Sequence, residues 1–304
     1  MGSSVALQPQ PCNLAKPKSF YLWRSVRTLH LTTNMRVKLS GNLSAGAFSN
    51  QLLALGNGEA PVDVQTGLIK FSVNFCTLVD SAEELIVKVF PNIQQSFTRH
   101  DWICERAILA PKNESVTKIN MQIQKMLPGN EKSYNSIDMV MDPSEAVNYP
   151  TEFLNSLEPS GCPPHILHLK VGAPIILLRN LDSPKLCNGT RLIIKAILSN
   201  LIEATILTGC GKGENVFIPR IPMIPNDLPF SLKRLEFPVR LAFAMTINKA
   251  QGQSLKVAGI NLEQPCFSHG QLYVACSRVG SPRNLFILTP EEKTKNIVYQ
   301  KALQ

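Results

Sequence analysis

Near its middle this chain changes the spacing of its apolar residues, and that change narrows the folds open to it. Before the change, apolar strands lead into helical patterns. Arg106-Ala107-Ile108-Leu109-Ala110 reads as a short buried strand, after which Asn113 can cap a helix carrying Val116, Ile119, Ile123 and Met126 on one face. Between about Tyr149 and Pro238 the helical spacing fades. Prolines and glycines there punctuate β-branched runs at Ala173 to Leu178, Arg191 to Leu198, Ile202 to Leu207 and Val216 to Ile218, with Asn188-Gly189 as a turn signal. Strand-to-helix units suit a parallel α/β sheet that binds its ligand at the strand ends. Short strands with tight turns suit a small antiparallel barrel. The pattern therefore predicts an α/β domain interrupted by a β insertion.

Further elements fill in this frame. Leu29 to Leu31 reads as a short strand, and Ser44 to Leu55 as a helix with Phe48, Leu52 and Leu55 on one face, stopped by Gly56-Asn57-Gly58. Ser81-Ala82-Glu83-Glu84 is a capping-box sequence opening a helix through about Phe90. Beyond the insertion, Val239 to Thr246 and Lys256 to Leu262 read as buried strands, His269 to Ser277 as a helix, and Leu285 to Leu288 as a last strand. Residues 1–19, with Pro9, Pro11 and Pro17, show no period and read as a disordered lead-in.

Composition limits the function classes. A chain of 304 residues, 44% of them hydrophobic, can bury a core divided between two domains. Its net charge of +9 suits a polyanionic partner. The eight cysteines form no C-x-x-C and read as reduced thiols, not as a zinc cage or a disulfide frame. His165 and His168 form an isolated H-x-x-H with no further metal ligand nearby. No apolar run approaches the ~20 residues that would cross a bilayer. The cationic, acid-free stretch before Glu59 superficially resembles an organelle transit segment.

Two stretches carry chemistry. In Phe243-Ala244-Met245-Thr246-Ile247-Asn248-Lys249-Ala250-Gln251-Gly252-Gln253-Ser254 an apolar strand delivers Thr, Asn, Lys and Gln together at its end, and Gly252 lets backbone approach a phosphate. Read alone, the same residues suit a polar loop between two core elements equally well. In Ser268-His269-Gly270-Gln271-Leu272-Tyr273-Val274-Ala275-Cys276-Ser277-Arg278, a helix would place Gln271 and Arg278 about two turns apart on nearly one side. Arg278 could then neutralise charge on a transferring γ-phosphate, or merely favour the helix C-terminus.

Together, FAMTINKAQGQS and HGQLYVACSR resemble the fifth and sixth signature motifs of superfamily-one DNA helicases, specifically the Pif type encoded by Helitron transposons and their host relatives. Leu29 to Arg36 (LHLTTNMR) resembles the fourth motif. Ala107 to Asn113, Tyr149 to Leu157, Leu167 to Leu181 and Leu186 to Arg191 resemble the connecting blocks, so the likeness runs from about Phe20 to Leu288.

The resemblance implies a second RecA-like domain, of α/β class, in two parts at 20–149 and 237–304, with a Src-homology-3-like β-barrel inserted at 150–236. It implies that Arg36 and Arg278 reach the γ-phosphate, that Gln251, Gly252 and Gln271 contact nucleotide, and that Thr246, Asn248 and Lys249 face single-stranded DNA. Tyr273, in the sixth motif, is a further cleft residue. ATP and Mg2+ are the implied cofactors, single-stranded DNA the partner, and 5′-to-3′ unwinding the activity. Repair, recombination or telomere work, in the nucleus or alternatively the mitochondrion, follows from the family. No G-x-x-x-x-G-K-[ST] occurs: Gly211-Lys212 is followed by Gly213. Phe75 to Asp80 ends in a lone Asp, with no acidic pair for magnesium. The chain is therefore expected not to hydrolyse ATP without a first RecA-like domain joined to it. The alternatives are a non-catalytic single-strand binder and a decayed transposon remnant.

Overall fold

The structure, a computed structural model, describes residues 43–303 except Val73, Pro143, Glu145 and Ala146, and in addition Ser25 and Arg27. The expected strand at 29–31, the fourth-motif likeness and Arg36 lie outside the described residues. Five parallel strands form the central sheet, in the spatial order Ala244–Thr246, Arg106–Ala110, Val257–Asn261, Leu285–Leu288, Thr77–Val79. Strand residues alternate between faces, so Arg106–Ala110 supplies two cores. Ala107 and Leu109 pack with Phe48, Leu52 and Leu55 of the helix Leu43–Asn57, while Ile108 packs with Leu85, Val89, Ile119 and Ile123 on the other side. Helices thus cover both faces, as a parallel sheet requires. Gly259 admits one of them closely, since a Cβ there would lie 2.7 Å from Val89 Cγ2.

Local signals act close to where they were expected, with shifts of a residue or two. The Ser81 side chain accepts from the Glu84 amide, but the Glu84 carboxylate reaches the Asp80 amide, one residue earlier than a reciprocal box requires. Asn113 does not cap its helix; it is the first helical residue of Asn113–Met126, and Lys112 occupies the cap position without a side-chain bond. The expected helix at His269 to Ser277 contracts to Gln271–Cys276, behind Gly270 in the left-handed region at φ +67°.

The run Val239 to Thr246 is two strands in two sheets. Val239–Leu241 pairs antiparallel with Pro174–Leu177, whereas Ala244–Thr246 joins the parallel sheet. Asn120 holds the break: its Oδ1 accepts from the Ala244 amide and its Nδ2 donates to the Leu241 and Ala244 carbonyls. The inserted Src-homology-3-like barrel is built on an antiparallel sheet in the order Asn215–Pro219, Leu201–Ile206, Arg191–Ile197, Pro174–Leu177, Val239–Leu241. Strand pairs also cross position 150. Lys132–Asn135 pairs with Ile166–Leu169, and Ile137–Val140 pairs with Leu232–Glu236.

Two buried arginines fasten these parts. Arg234 and Asp138, both fully buried, form a two-pronged pair at 2.8 and 2.7 Å, and Arg234 also donates to the Pro163 and Leu154 carbonyls. Arg191, 1% exposed, sends its guanidinium from the barrel into the α/β domain. It donates there to the Ile103, Cys104, Arg106 and Ala242 carbonyls.

The histidines of the H-x-x-H serve strand contacts. His165 shares a hydrogen bond with Ser136, and His168 with Ser133. Among the described residues no cluster of three or more His, Cys, Asp or Glu could hold a metal. No helix among them is long and apolar enough to cross a membrane.

Candidate nucleic-acid and nucleotide site

The edge strand Ala244–Thr246 ends in a 3-10 turn, Ile247–Ala250. Residues three apart share a side in such a turn, so Ile247 and Ala250 enter the core and Asn248 and Lys249 are left exposed. Gln251 and Gly252 follow, also exposed. Gly252 stands at φ +77° with open space around the position a Cβ would take, so its backbone can be approached.

Arg278 braces this loop from behind. Its Nη1 donates to the Ala250 and Gln253 carbonyls, each at 3.1 Å, Nε donates to the Val274 carbonyl at 2.8 Å, and Nη2 to Ser277 Oγ at 2.8 Å. The two signature stretches are therefore in direct contact through one guanidinium. Gln271 serves another neighbour. It is 2% exposed, its Oε1 accepts from the Phe267 amide at 3.0 Å, and its Nε2 is buried without a hydrogen-bond partner among the described residues. Gln271 and Arg278 thus do not converge on one point: the helix closes at Cys276 and each side chain turns to a different loop. Tyr273, half-buried, packs beside Gly56 of the first helix.

Facing the 248–253 loop is the barrel turn Asn188-Gly189. An open cavity of about 470 Å³ lies between them, lined by Asn188, Gly189, Asn248, Lys249, Gln251, Gly252 and Gln253. Lys249 Nζ crosses it to donate to Asn188 Oδ1 at 2.8 Å. Loss of water around the ammonium holds the Lys249 pKa below the usual lysine range, and the guanidiniums of Arg179 and Arg240 push it the same way. Arg240 lies on the strand Val239–Leu241, opposite Ile176, and Arg179 lies just beyond the end of the neighbouring strand Pro174–Leu177. Arg240 is anchored on the Cys162 carbonyl and Arg179 on the Leu178 carbonyl. The result is a concentration of positive charge at the strand end, beside exposed amide side chains and an approachable glycine.

Asn248, Lys249, Gln251 and Gly252 are thus gathered on one loop that follows Thr246 at the strand end, Arg278 stands behind it, and Gln271 is set apart. Sequence reasoning missed Asn188, read only as a turn, and also Arg179 and Arg240, which no local signal marks.

Comparison with known proteins gives this arrangement a context. Residues 152–197 match the family model described as DNA helicase Pif1, 2B domain. The chain is 34% identical over 185 residues to the ATP-dependent DNA helicase PIF1 of Rattus norvegicus, a match covering 59% of this chain and 27% of that protein. It is 27% identical over 189 residues to the ATP-dependent DNA helicase PIF6 of Trypanosoma brucei brucei, covering 60% of this chain and 23% of the relative. It therefore spans only about a quarter of the length of these relatives. Among solved structures, the Pif1 helicase of Candida albicans superposes with a TM-score of 0.61 at 21% identity, covering 94% of this chain and 62% of that one. The Bacteroides Pif1 helicase in complex with ADP-AlF3 and ssDNA gives a TM-score of 0.54 at 21% identity, with 84% and 52% covered. In sequence over residues 152–197 and in fold across most of its length, the chain is similar to the Pif1-type DNA helicases, over part of their length.

Proposed function

We propose that this chain is the C-terminal part of an ATP-dependent DNA helicase, and that single-stranded DNA runs through the groove between the Asn188-Gly189 turn and the 248–253 loop. The observation that carries this reading is Lys249 at the strand end, across an open groove from the Asn188-Gly189 turn of the barrel and within electrostatic reach of the barrel residues Arg179 and Arg240. Phosphates would be gripped there by charge, with little regard to sequence. Thr246 and Asn248 would offer hydrogen bonds, and the Lys249–Asn188 bond would open to admit a phosphate.

A nucleotide phosphate would approach the Gln251-Gly252 end of the same loop, where Gly252 has open space around it. Gln271, set apart from that loop, keeps a buried Nε2 donor without a partner among the described residues. ATP, brought with Mg2+ by a first RecA-like domain, would supply the phosphoryl chemistry. Arg36 and Arg278 are the proposed γ-phosphate-side arginines. Arg278 would couple the sites, because it holds both ends of the loop whose outer face meets DNA. Movement would be 5′-to-3′, in nuclear repair, recombination or telomere work.

A second reading, a non-catalytic single-strand binder, is favoured by one observation: the Arg278 guanidinium contacts four groups of its own domain. Measuring DNA-stimulated ATP hydrolysis separates the possibilities. The chain alone should show only background, and fusion to a first RecA-like domain should restore turnover that Arg278→Ala abolishes. Robust turnover by the chain alone, or an indifferent Arg278→Ala fusion, contradicts the helicase assignment.

A further inference from the structure

Two thiols beside the groove converge on a single carbonyl oxygen. Cys187 Sγ and Cys210 Sγ each lie 3.6 Å from the Pro184 oxygen, so the sulfurs are separated by no more than about twice that distance. Cys210 is exposed and Cys187 half-buried. The loops bearing them are already packed together. Lys185 Nζ pairs with Glu214 Oε2 at 2.7 Å, and a Cβ on Gly211 would stand 3.5 Å from Lys185 Cβ. Cys187 immediately precedes Asn188, whose amide donates to Asn180 Oδ1 and whose side chain accepts from Lys249. The backbone position of Cys187 therefore sets the rim of the groove.

The other described thiols are poorer competitors. Cys76 and Cys266 are pushed up to about 12 by burial, and Cys276 is also raised by burial, so none presents a reactive thiolate. Cys162 is buried. Cys104 is half-buried and bonds to the Leu207 carbonyl, which makes it the nearest rival for Cys210.

We propose that Cys187 and Cys210 form a reversible dithiol–disulfide site that fixes the Asn188 turn against the 207–214 turn. The oxidant is a low-molecular-weight disulfide such as oxidised glutathione. The Cys210 thiolate attacks one sulfur of it, releasing one small thiolate and leaving a mixed disulfide. The Cys187 thiolate then attacks Cys210 Sγ and expels the second. Two protein thiols lose two protons and two electrons, and the small disulfide is reduced to two thiols.

The full chain, equilibrated in glutathione buffers from reduced to oxidised, then alkylated, digested and weighed by mass spectrometry, tests this. The oxidised chain should lose two alkylatable thiols and yield a peptide joining Cys187 to Cys210, which dithiothreitol removes. Amide exchange across 186–190 should slow severalfold on oxidation. Cys104→Ser should leave the link intact, while Cys187→Ser should replace it with a glutathione adduct on Cys210. A peptide joining Cys210 to Cys104, or separate adducts on Cys187 and Cys210 in the unsubstituted chain, overturns the proposal. Its consequence for DNA rests on the groove reading above, and the two fail separately. If the link forms and single-strand affinity does not respond, the dithiol site stands and the assignment of the Asn188 turn to DNA falls.

Discussion

Lys249 Nζ and Asn188 Oδ1 meet at 2.8 Å, joining the strand end of the parallel sheet to a turn of the inserted barrel. The bond places a lysine between two structural units and within electrostatic reach of Arg179 and Arg240. A neutral acceptor holds the ammonium without cancelling its charge, which leaves that charge available to a phosphate.

Replacing the acceptor by an acid should remove that availability. Asn188→Asp puts a carboxylate against Lys249, and single-strand affinity should fall about tenfold at low salt, an estimate resting on the strength of a charge-assisted pair. Asn188→Ala, which frees the lysine, should change it by less than about threefold. Fluorescence anisotropy with a labelled oligonucleotide measures both. Equal losses in the two variants would show that Asn188 acts through the fold of the turn, not through charge.

The depressed pKa of Lys249 fixes the sign of a pH effect. The charged form binds phosphate, and a bound phosphate raises the pKa, so affinity falls as pH rises through the pKa of the free protein. That decline should begin below the usual lysine range. Arg179→Gln or Arg240→Gln, by removing a repelling charge, should move it to higher pH. A decline unmoved by both substitutions would remove these arginines from the site.

Arg191 is the test of the joint between barrel and sheet. Four carbonyls lose their donor in Arg191→Met, and the cost should be about 3 kcal/mol or more, since buried polar groups left unpaired are expensive. Arg191→Lys should recover less than half, because an ammonium cannot span the fork. Urea unfolding reads the change as a shifted midpoint. A loss below about 1 kcal/mol would mean that the joint is held elsewhere.

The Arg234–Asp138 pair should show strong coupling. Asp138→Leu alone strands a buried guanidinium and should cost about 3–5 kcal/mol, while the double change Asp138→Leu with Arg234→Met should cost much less. Additive losses in a double-mutant cycle would contradict a closed ion pair.

These same residues explain what was legible in the sequence. The helix Leu43–Asn57 was visible because Phe48, Leu52 and Leu55 face one core, and the strand Arg106–Ala110 because it is buried on both faces. Ile137–Val140 was invisible because its pattern is inverted. Asp138 points inward to a partner almost a hundred residues away, while Ile137 and Met139 are exposed. Val239 to Thr246 read as one strand because only Asn120, on a distant helix, marks the break. At the site, Lys249 and Gly252 declared themselves through local spacing. Asn188 meets the groove through a turn of the barrel, and Arg179 and Arg240 come within electrostatic reach of Lys249 through the fold of the barrel sheet, which no local pattern encodes.

The groove assignment is tested most directly by a salt titration of single-stranded DNA binding to the chain without nucleotide, run beside Lys249→Gln. The account predicts binding at low salt that weakens linearly in log–log form, with a slope smaller by about 0.7 in Lys249→Gln, one phosphate contact fewer. No binding at low salt, or an unchanged slope in Lys249→Gln, would contradict it.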